Sequence, residues 1–330
     1  MDFDLSDVQL SWREKARGLG RQLAEDAAAA DVVRGAARVG LLDTRADLVA
    51  AALAVEALAS VSAAAGMALA LHTTAILALA RLRQGSGAHA GDDRFSSLVR
   101  GETVGALALS SEDVPSVEGG ALSGRASWVG PITEHGIAIV GARQGSEIAA
   151  CAVPLDARGV SVATVSTSAL RGFSWAYVTF AGAPCIAAGA PTGIMAKART
   201  LIAASALGIA NRALRESLAV AHRERGAGGE QTVQGLLADT ATELDAARML
   251  TWKACADSES LAAASMAKLA ATVAAQRAVE RATQVVGVDS FRRGHVIERL
   301  TQDVRAIELF AGRTEALREA VANEELPKPA

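Results

Sequence analysis

The sequence predicts an α+β fold in three consecutive parts: an N-terminal all-α domain over residues 1–100, a middle β-domain over residues 101–190 and a C-terminal four-helix-type bundle over residues 191–330. Apolar residues recur at helical spacing in the first and last parts. Short apolar or alternating runs, separated by Gly, Pro, Ser and Asp, fill the middle part. Hydrophobic residues make up 51% and charged residues 21% of the 330 residues, so we expect a globular protein with room for roughly two cores.

The N-terminal region is predicted to be helical throughout. Ser6 and Gln9 have the spacing of a capping box at the start of the first helix. Further helices are predicted at residues 32–42 and, as a pair, at residues 46–83. The stretch 57–80 carries no Asp, Glu, Lys or Arg and is long enough to span a bilayer at ~20 residues, but its polar residues and alanines favour two buried helices broken near Gly66. The N-terminus is acidic and lacks an apolar h-region, so no secretory signal is expected.

Strands and helices follow in blocks after residue 100. The predicted strands are residues 104–109, 136–142, 148–153, 160–165 and 176–180. The predicted C-terminal helices are residues 194–225, 230–255, 260–286, 296–311 and 314–325.

Two glycines mark predicted helix ends in the C-terminal region. Gly287 stands where a C′ glycine belongs. Gly312 breaks the helix before it, and Thr314 offers an N-cap hydroxyl for the last helix. Such a break can aim backbone N–H groups at an anion or a carbonyl, although an ordinary interhelical turn has the same sequence pattern.

Composition limits the classes of function. A net charge of −3 and a pI near 6.0 argue against a nucleic-acid partner, which would require a basic face. The three cysteines are far apart and form no CxxC motif, which favours a reduced compartment and a cytoplasmic location. The five histidines have no ligand spacing, so no metal site is expected.

The stretch RLTQDVRAIELFAGRTEAL, residues 299–317, resembles the C-terminal signature of the acyl-CoA dehydrogenases, which typically reads R-D-A-R…I-Y-E-G-T-S-E. The family's glutamate base falls on Ala311, and the threonine after the glycine falls on Arg313. Similar patterns elsewhere extend the resemblance over nearly the whole chain and imply the family's fold and its cofactor, FAD. The residues of this stretch in register with the signature are Asp303, Arg305, Ile307, Gly312 and Glu315.

The resemblance also implies a set of cofactor-binding residues. Trp128 matches the tryptophan of a W-I-T motif that lies against the flavin, and Gly130 stands where the motif has the threonine whose hydroxyl approaches flavin N5. Without the family, Trp128 would be interpreted as a residue of the β-domain core. Ser111 falls on the first residue of the family's T-E flavin loop.

Three further positions resemble residues that contact FAD. Arg225 matches an arginine that reaches the FAD pyrophosphate of a neighbouring subunit, and Gln284 and Gly287 match a second loop on the same pyrophosphate. Val288 replaces that loop's second glycine, and a β-branched side chain there could block a close backbone approach. Arg313 completes the implied set of cofactor contacts.

The general base is missing from both places where the family carries it. The second of these places, on the helix after the β-domain, falls on Arg199, and a guanidinium cannot act as a base. We interpret Arg199 as a solvated or ion-paired helix residue. Ala311 keeps a backbone N–H that can hold a thioester oxygen. Glu308, about one turn away, and Glu315, just past the break, are candidate substitute bases, although Glu308 also matches a non-catalytic glutamate in some relatives.

The resemblance implies FAD-dependent α,β-dehydrogenation of an acyl-CoA. Because the base is missing, the chain resembles the short subunits of actinobacterial heteromeric enzymes that act on steroid-derived CoA thioesters. A sister chain would supply the base within a heterotetramer, or the chain would form a dimer of dimers with itself, and an electron-transfer flavoprotein-like acceptor would reoxidise the flavin. Two alternatives stay open: a self-sufficient dehydrogenase with a relocated base, and a non-catalytic acyl-thioester-binding or scaffold protein.

Overall fold

The computed structural model describes residues 4–86, 93–109, 113–185, 187–223 and 230–326. Helices come first, a β-sheet follows, and helices end the chain, which confirms the predicted fold class. The helices are α1 (Asp7–Gln22), α2 (Ala29–Arg38), α3 (Leu48–Ala59), α4 (Ala63–Ser86), α5 (Asp93–Val99), α6 (Thr192–Arg223), α7 (Gln231–Ala256), α8 (Leu261–Val286), α9 (Val296–Leu309) and α10 (Thr314–Glu325). The strands are β1 (Gly105–Ala108), β2 (Ser116–Glu118), β3 (Ala121–Val129), β4 (Ile137–Gln144), β5 (Glu147–Pro154), β6 (Val160–Val165), β7 (Trp175–Pro184) and β8 (Ala187–Gly189).

Local sequence signals explain how the first two helices begin and end. The capping box of α1 is confirmed, since the amide of Gln9 donates to Ser6 Oγ at 3.3 Å and the amide of Ser6 donates to Gln9 Oε1 at 3.0 Å. The prediction of a helix at residues 32–42 was wrong at its end. Gly40 has a φ of 77°, which a right-handed helix does not accommodate, so the helix ends before it. Leu41 is buried, but it belongs to the loop that follows the helix.

The break between α3 and α4 lies at residues 60–62, so the prediction of a break near Gly66 was wrong. Gly66 lies inside α4, and a Cβ there would approach the Cβ of Ala59 to 2.3 Å. Gly66 therefore allows α3 and α4 to cross closely. Two described helices are long and apolar enough to cross a membrane, Ala63–Arg83 and Thr192–Arg223, but 83% and 94% of their most apolar windows are buried inside the fold. They have the burial expected of core helices.

The sheet has the strand order β6-β7-β3-β2-β4-β5-β8, and β1 pairs parallel with β4. Each of the five predicted strands overlaps an observed one, but β2, β3 and β8 were missed. Strand β3 contains Gly124 and Arg125 and has the irregular burial of a bulged strand, which hides its period from a pattern search. One irregularity in its pairing with β7 falls between Ala126 and Val129, and this bulge sets the orientation of Trp128.

The five predicted C-terminal helices all occur, with bounds within two residues of those predicted. Gly287 ends α8 with a φ of 73°, as predicted, and its N–H donates to the carbonyl of Thr283. The prediction of Thr314 as an N-cap was wrong. Arg313 occupies the cap position, and the Thr314 hydroxyl donates to Glu308 Oε1 at 3.1 Å, so it joins α10 to the end of α9.

The described residues form two hydrophobic cores. One core is shared by the N-terminal helices and the C-terminal bundle, because α3 and α4 pack directly against α6. The other lies within the sheet. Alanines dominate the helix contacts, and their small side chains let the helix axes come close. The end of α9 lies where the helical core meets strand β7, and this junction positions the candidate site.

Candidate active site at the Ala311 turn

The site is built around a turn between α9 and α10, called here the Ala311 turn (residues 310–312). Ala311 has a φ of 57° and is only 6% exposed, and Gly312 has a φ of 109°. A residue with a Cβ pays a steric cost in this left-handed region, so the surroundings must hold Ala311 there. A Cβ at Gly312 would come within 2.9 Å of Arg199 Nη2, which explains the glycine.

Arg199, on α6, holds the turn from one side. Its Nε donates to the carbonyl of Ala311 at 3.0 Å, and its Nη1 donates to Ser265 Oγ at 2.7 Å. The interpretation of Arg199 as a solvated or ion-paired residue was therefore wrong: the side chain is buried, and its hydrogen bonds go to neutral acceptors. Burial lowers the pKa of Arg199 to about 10, so the guanidinium stays charged at neutral pH and cannot accept a proton.

Lys268, on α8, donates hydrogen bonds to the backbone of the same turn. The side chain is fully buried, and Nζ donates to the carbonyl oxygens of Glu308 at 3.0 Å, of Gly312 at 2.6 Å and of Phe310. These acceptors lie at the C-terminal end of α9, where carbonyls lack intrahelical partners and carry partial negative charge. Burial and, secondly, the charge of Arg199 lower the pKa of Lys268 to about 7, while Glu308 opposes this shift.

Glu308 lies beside the turn with its carboxylate already engaged. Oε2 accepts from Gln276 Nε2 at 2.6 Å and from Arg305 Nη1 at 3.1 Å, and Oε1 accepts from Thr314. These contacts join α8, α9 and α10. The role of Glu308 as a substitute base stays a prediction.

A row of aromatic rings leads from the β-domain to the turn. Trp128 contacts Trp175 and Tyr177 edge to face, with ring centroids 6.1 and 5.8 Å apart. Trp175 also packs against Phe173 at 4.5 Å and against Phe310 at 4.9 Å. Trp128 itself is 45% exposed, so the interpretation of this residue as part of the β-domain core was wrong. Its φ of 56°, next to the bulge in β3, turns the indole outward.

Gly130 is enclosed by two rings of this row. A Cβ at Gly130 would lie 2.6 Å from Phe173 Cε1 and 2.9 Å from Trp175 Cε3. A threonine side chain would not fit at this position, so no side-chain hydroxyl can project from it.

Gln284 and Gly287, two of the residues implied to face a neighbouring subunit, lie at the C-terminal end of α8. Gln284 is exposed, and a Cβ at Gly287 would meet no atom within 4 Å. The side chain of Val288 is 83% exposed and points away from the fold, so within this chain it does not crowd the loop. Arg313 is exposed, 3.8 Å from Glu315. Ser111 and Arg225 lie outside the described residues.

Sequence reasoning missed Lys268, Trp175 and Phe310 as parts of the site. A signal for Lys268 was available, because it shares the apolar face of α8 with buried alanines four residues before and three residues after it. A lysine on such a face must find acceptors inside the fold. The aromatic row had no comparable signal, since its rings come from separate strands and from the turn.

Comparisons with known proteins agree with this architecture. Residues 189–326 match the family described as "Acyl-CoA dehydrogenase, C-terminal domain". The chain is 29% identical to the human mitochondrial short-chain specific acyl-CoA dehydrogenase over 258 residues, which are 67% of this chain and 63% of that protein. It is 36% identical to the 3-sulfinopropanoyl-CoA desulfinase of Paraburkholderia xenovorans over 124 residues, 36% of this chain and 32% of that protein. The chain thus matches less than two thirds of the length of these relatives.

The fold comparison extends further than the sequence comparison. The structure of butyryl-CoA dehydrogenase from Megasphaera elsdenii superimposes with a TM-score of 0.89 and covers 99% of this chain and 100% of that one, at 19% identity. The two chains share the order of helices, middle sheet and C-terminal helical bundle. Residues 189–326 thus match the acyl-CoA dehydrogenase C-terminal domain, and the chain as a whole has the fold of that butyryl-CoA dehydrogenase.

Proposed function

We propose that this chain takes part in FAD-dependent α,β-dehydrogenation of an acyl-CoA thioester as the base-lacking subunit of a heteromeric acyl-CoA dehydrogenase. The observation that carries the proposal is the Ala311 turn. It presents a methyl group where the family resemblance predicts a carboxylate, while Arg199 occupies the alternative location and is committed to the turn itself. The turn is thus built to hold a ligand without taking a proton from it.

The chemistry divides into a part that this chain can perform and a part that it cannot. Dehydrogenation removes a proton from Cα and a hydride from Cβ, and negative charge develops on the thioester oxygen as the proton leaves. No acceptor among the described residues meets the Ala311 amide in hydrogen-bond geometry, so this amide is available to the thioester oxygen. The proton itself requires a carboxylate, which we assign to the sister chain because general-base catalysis contributes ~10²–10⁴ in rate.

The residues of this chain fit FAD in part. The exposed indole of Trp128 offers a flat surface for a flavin ring, and the exposed Gln284, beside the open loop at Gly287, offers an amide donor for a pyrophosphate. When bound, FAD supplies the hydride acceptor. At Gly130 the enclosing rings leave no room for a hydroxyl, so a hydrogen bond to flavin N5 would have to come from backbone. This uneven fit supports a subunit that completes a flavin site across an interface.

The finer assignments follow from the resemblance and are part of the proposal. The substrate is an acyl-CoA, and a steroid-derived or other lipid thioester is the candidate class. The assembly is a heterotetramer, an electron-transfer flavoprotein-like protein is the candidate electron acceptor, and the location is cytoplasmic.

The visible spectrum tests the proposal. The chain would be purified alone and co-expressed with any acyl-CoA dehydrogenase-like chain found to be encoded beside it, and each preparation would be titrated with acyl-CoAs of different chain length. Flavin absorbance in the co-purified complex only, bleached by an acyl-CoA, is the expected result. Stoichiometric flavin in the lone chain that bleaches with an acyl-CoA would overturn the heteromeric assignment. Colourless protein in every combination would indicate a scaffold.

A self-sufficient dehydrogenase is the second candidate, and Glu308 is the observation in its favour. Its carboxylate lies at the end of α9 beside the turn, with Arg305 and Gln276 holding it. If the lone chain proves active, Glu308→Gln should abolish activity while preserving the contacts that an amide can make. An active Glu308→Gln protein would exclude Glu308 as the base.

A further inference from the structure

Two buried cations converge on one short piece of backbone. Lys268 reaches the carbonyls of Glu308, Phe310 and Gly312 from α8, and Arg199 reaches the carbonyl of Ala311 from α6. Four carbonyls within five residues are therefore held by two side chains from two different helices. A lysine that merely caps a helix end would be expected at the surface, where water solvates the ammonium.

We propose that Lys268 and Arg199 are positioning residues that hold the Ala311 turn in its left-handed conformation, with its amide free to donate to a thioester oxygen. This inference rests on the proposed function, because the thioester is the ligand that it assigns to the turn. Neither residue touches the ligand. Both act through the backbone of Ala311 and its neighbours.

The backbone conformation requires such support. A residue with a Cβ in the left-handed region costs roughly 1–2 kcal/mol relative to ordinary backbone, and Ala311 has a φ of 57°. The hydrogen bonds to the flanking carbonyls offset this cost by fixing the peptide planes on both sides of Ala311. With these carbonyls directed into the fold, the remaining polar group of Ala311 is its N–H.

Protonation of Lys268 sets how many carbonyls can be held. An ammonium has three N–H donors, which match the three carbonyl contacts, whereas a neutral amine has two. The charged side chains that face Lys268 are Arg199 from α6, which disfavours the ammonium, and Glu308 from α9, which favours it. At the start of α10, Arg313 and Glu315 are exposed and lie beside each other. Since the pKa of Lys268 is lowered to about 7, the turn should loosen as the pH rises through neutrality.

The two cations also supply a positive field at the turn. Both are buried, and the carboxylate that faces Lys268 is shared with Gln276 and Thr314. A positive charge in a low-dielectric interior favours negative charge developing nearby. Lys268 and Arg199 together, called here the clamp, should therefore strengthen the hydrogen bond from the Ala311 amide to a thioester oxygen as well as orient it.

Hydrogen–deuterium exchange of the full chain would test the clamp directly. Protection of peptides covering residues 306–317 would be measured from pH 6 to pH 9, relative to the unfolded chain, for the wild type, Lys268→Met, Lys268→Arg and the control Lys253→Met, which removes an exposed lysine from α7. We expect wild-type protection to fall about 5- to 10-fold across neutral pH, the change for one lost hydrogen bond. Lys268→Met should be less protected than the wild type at pH 6 and show no pH transition, and Lys268→Arg should regain protection without the pH transition.

Butyryl-CoA affinity, measured by calorimetry on the same proteins, separates a positioning role from a merely structural one. The proposal requires about a tenfold weaker affinity in Lys268→Met than in Lys253→Met, from one hydrogen bond weakened, and the same loss in the wild type above neutral pH. Equal protection of the turn in Lys268→Met and wild type would overturn the clamp. Lost protection with unchanged affinity would overturn the positioning role. If the wild type binds no butyryl-CoA, the exchange data alone decide whether Lys268 and Arg199 hold the turn, and the visible spectrum of the co-purified complex decides the proposed function. If Lys268→Met does not fold, the pH series of the wild type still tests whether the ammonium of Lys268 holds the turn.

Discussion

The indole of Trp175 packs against the ring of Phe310, with centroids 4.9 Å apart and planes inclined by 53°. Trp175 begins strand β7, and Phe310 directly precedes Ala311. This pair therefore joins the β-domain to the Ala311 turn, and through Trp128 it connects the turn to the exposed face of the sheet.

Replacing Trp175 by alanine should cost about 3–5 kcal/mol of unfolding free energy, the usual range for a buried aromatic residue. Urea denaturation followed by circular dichroism would measure it. Trp128→Ala is the matched control, since the same side chain is removed from a site that is 45% exposed, and it should cost well under half as much. Equal losses of unfolding free energy in the two variants would show that the contact between Trp175 and Phe310 does not stabilise the fold more than the exposed Trp128 does.

Ala311→Glu should restore a base to the turn. The backbone already accommodates a Cβ at this φ, so the substitution adds no new backbone strain. With butyryl-CoA bound to the lone chain in D₂O, exchange of the Cα protons should accelerate by ~10²–10⁴ over wild type, as followed by NMR. Ala311→Gln has nearly the same shape without a basic oxygen and should not accelerate exchange. Similar rates in both variants would argue against a thioester at the turn.

His72 should make the fold sensitive to mild acid. Its Nδ1 accepts from the Gly105 amide at 2.9 Å and its Nε2 contacts the carbonyl of Leu98 at 3.1 Å, so the neutral ring with a proton on Nε2 satisfies both groups. Burial lowers its pKa to about 4 from 6.5. Above pH 6.5 this contribution to stability is complete, and as the pH falls towards 4 the unfolded chain takes up a proton that the fold does not.

The loss should reach about 3 kcal/mol across that window and would be measured by urea titrations at several pH values. His72→Leu should be less stable at neutral pH, because it strands two buried polar groups, but its stability should decline less as the pH falls. The exposed His222→Gln variant keeps His72 and should keep the wild-type slope. A slope unchanged in His72→Leu would assign the acid sensitivity to other groups.

Two glycine-to-alanine changes should act in opposite directions. Gly66→Ala places a methyl 2.3 Å from the Cβ of Ala59 and 2.7 Å from its Cα, so α3 and α4 must separate, and we expect a loss of about 1–3 kcal/mol. Gly18→Ala, in α1, meets nothing within 4 Å and should stabilise the chain by about 0.5–1 kcal/mol. Thermal unfolding of both variants would test this, and a neutral Gly66→Ala would mean that the helix crossing is loosely packed.

Periodicity alone was sufficient for much of the fold. The long helices from α6 to α10 were predicted with nearly correct bounds because apolar residues at helical spacing give a strong signal over many residues. Strand β3 was missed because its bulges and Gly124 interrupt the alternation that marks a strand. The break after α3 was misplaced because glycine ends some helices and lets others pack closely, and sequence does not distinguish the two uses.

The site was less predictable than the fold. The match of Ala311 to the family's base followed from the resemblance, but its left-handed backbone was not predicted, because the neighbouring Gly312 was the residue expected to adopt a positive φ. The clamp was not predicted, because Arg199, Lys268 and Glu308 meet through backbone carbonyls, and a carbonyl carries no sequence signature. The 45% exposure of Trp128 was not predicted from the residues alone, since an isolated tryptophan in a strand is more often buried.

The division into two cores has a consequence for the order of folding during synthesis. The sheet has its own core, and most of its strands pair with partners less than 80 residues away, so it can form soon after residue 190 leaves the ribosome. The apolar faces of helices α3 and α4 stay uncovered until α6, nearly 150 residues later in the chain, has been synthesised and packs against them. The alanine-rich N-terminal helices are therefore the part of the nascent chain that depends most on protection from aggregation.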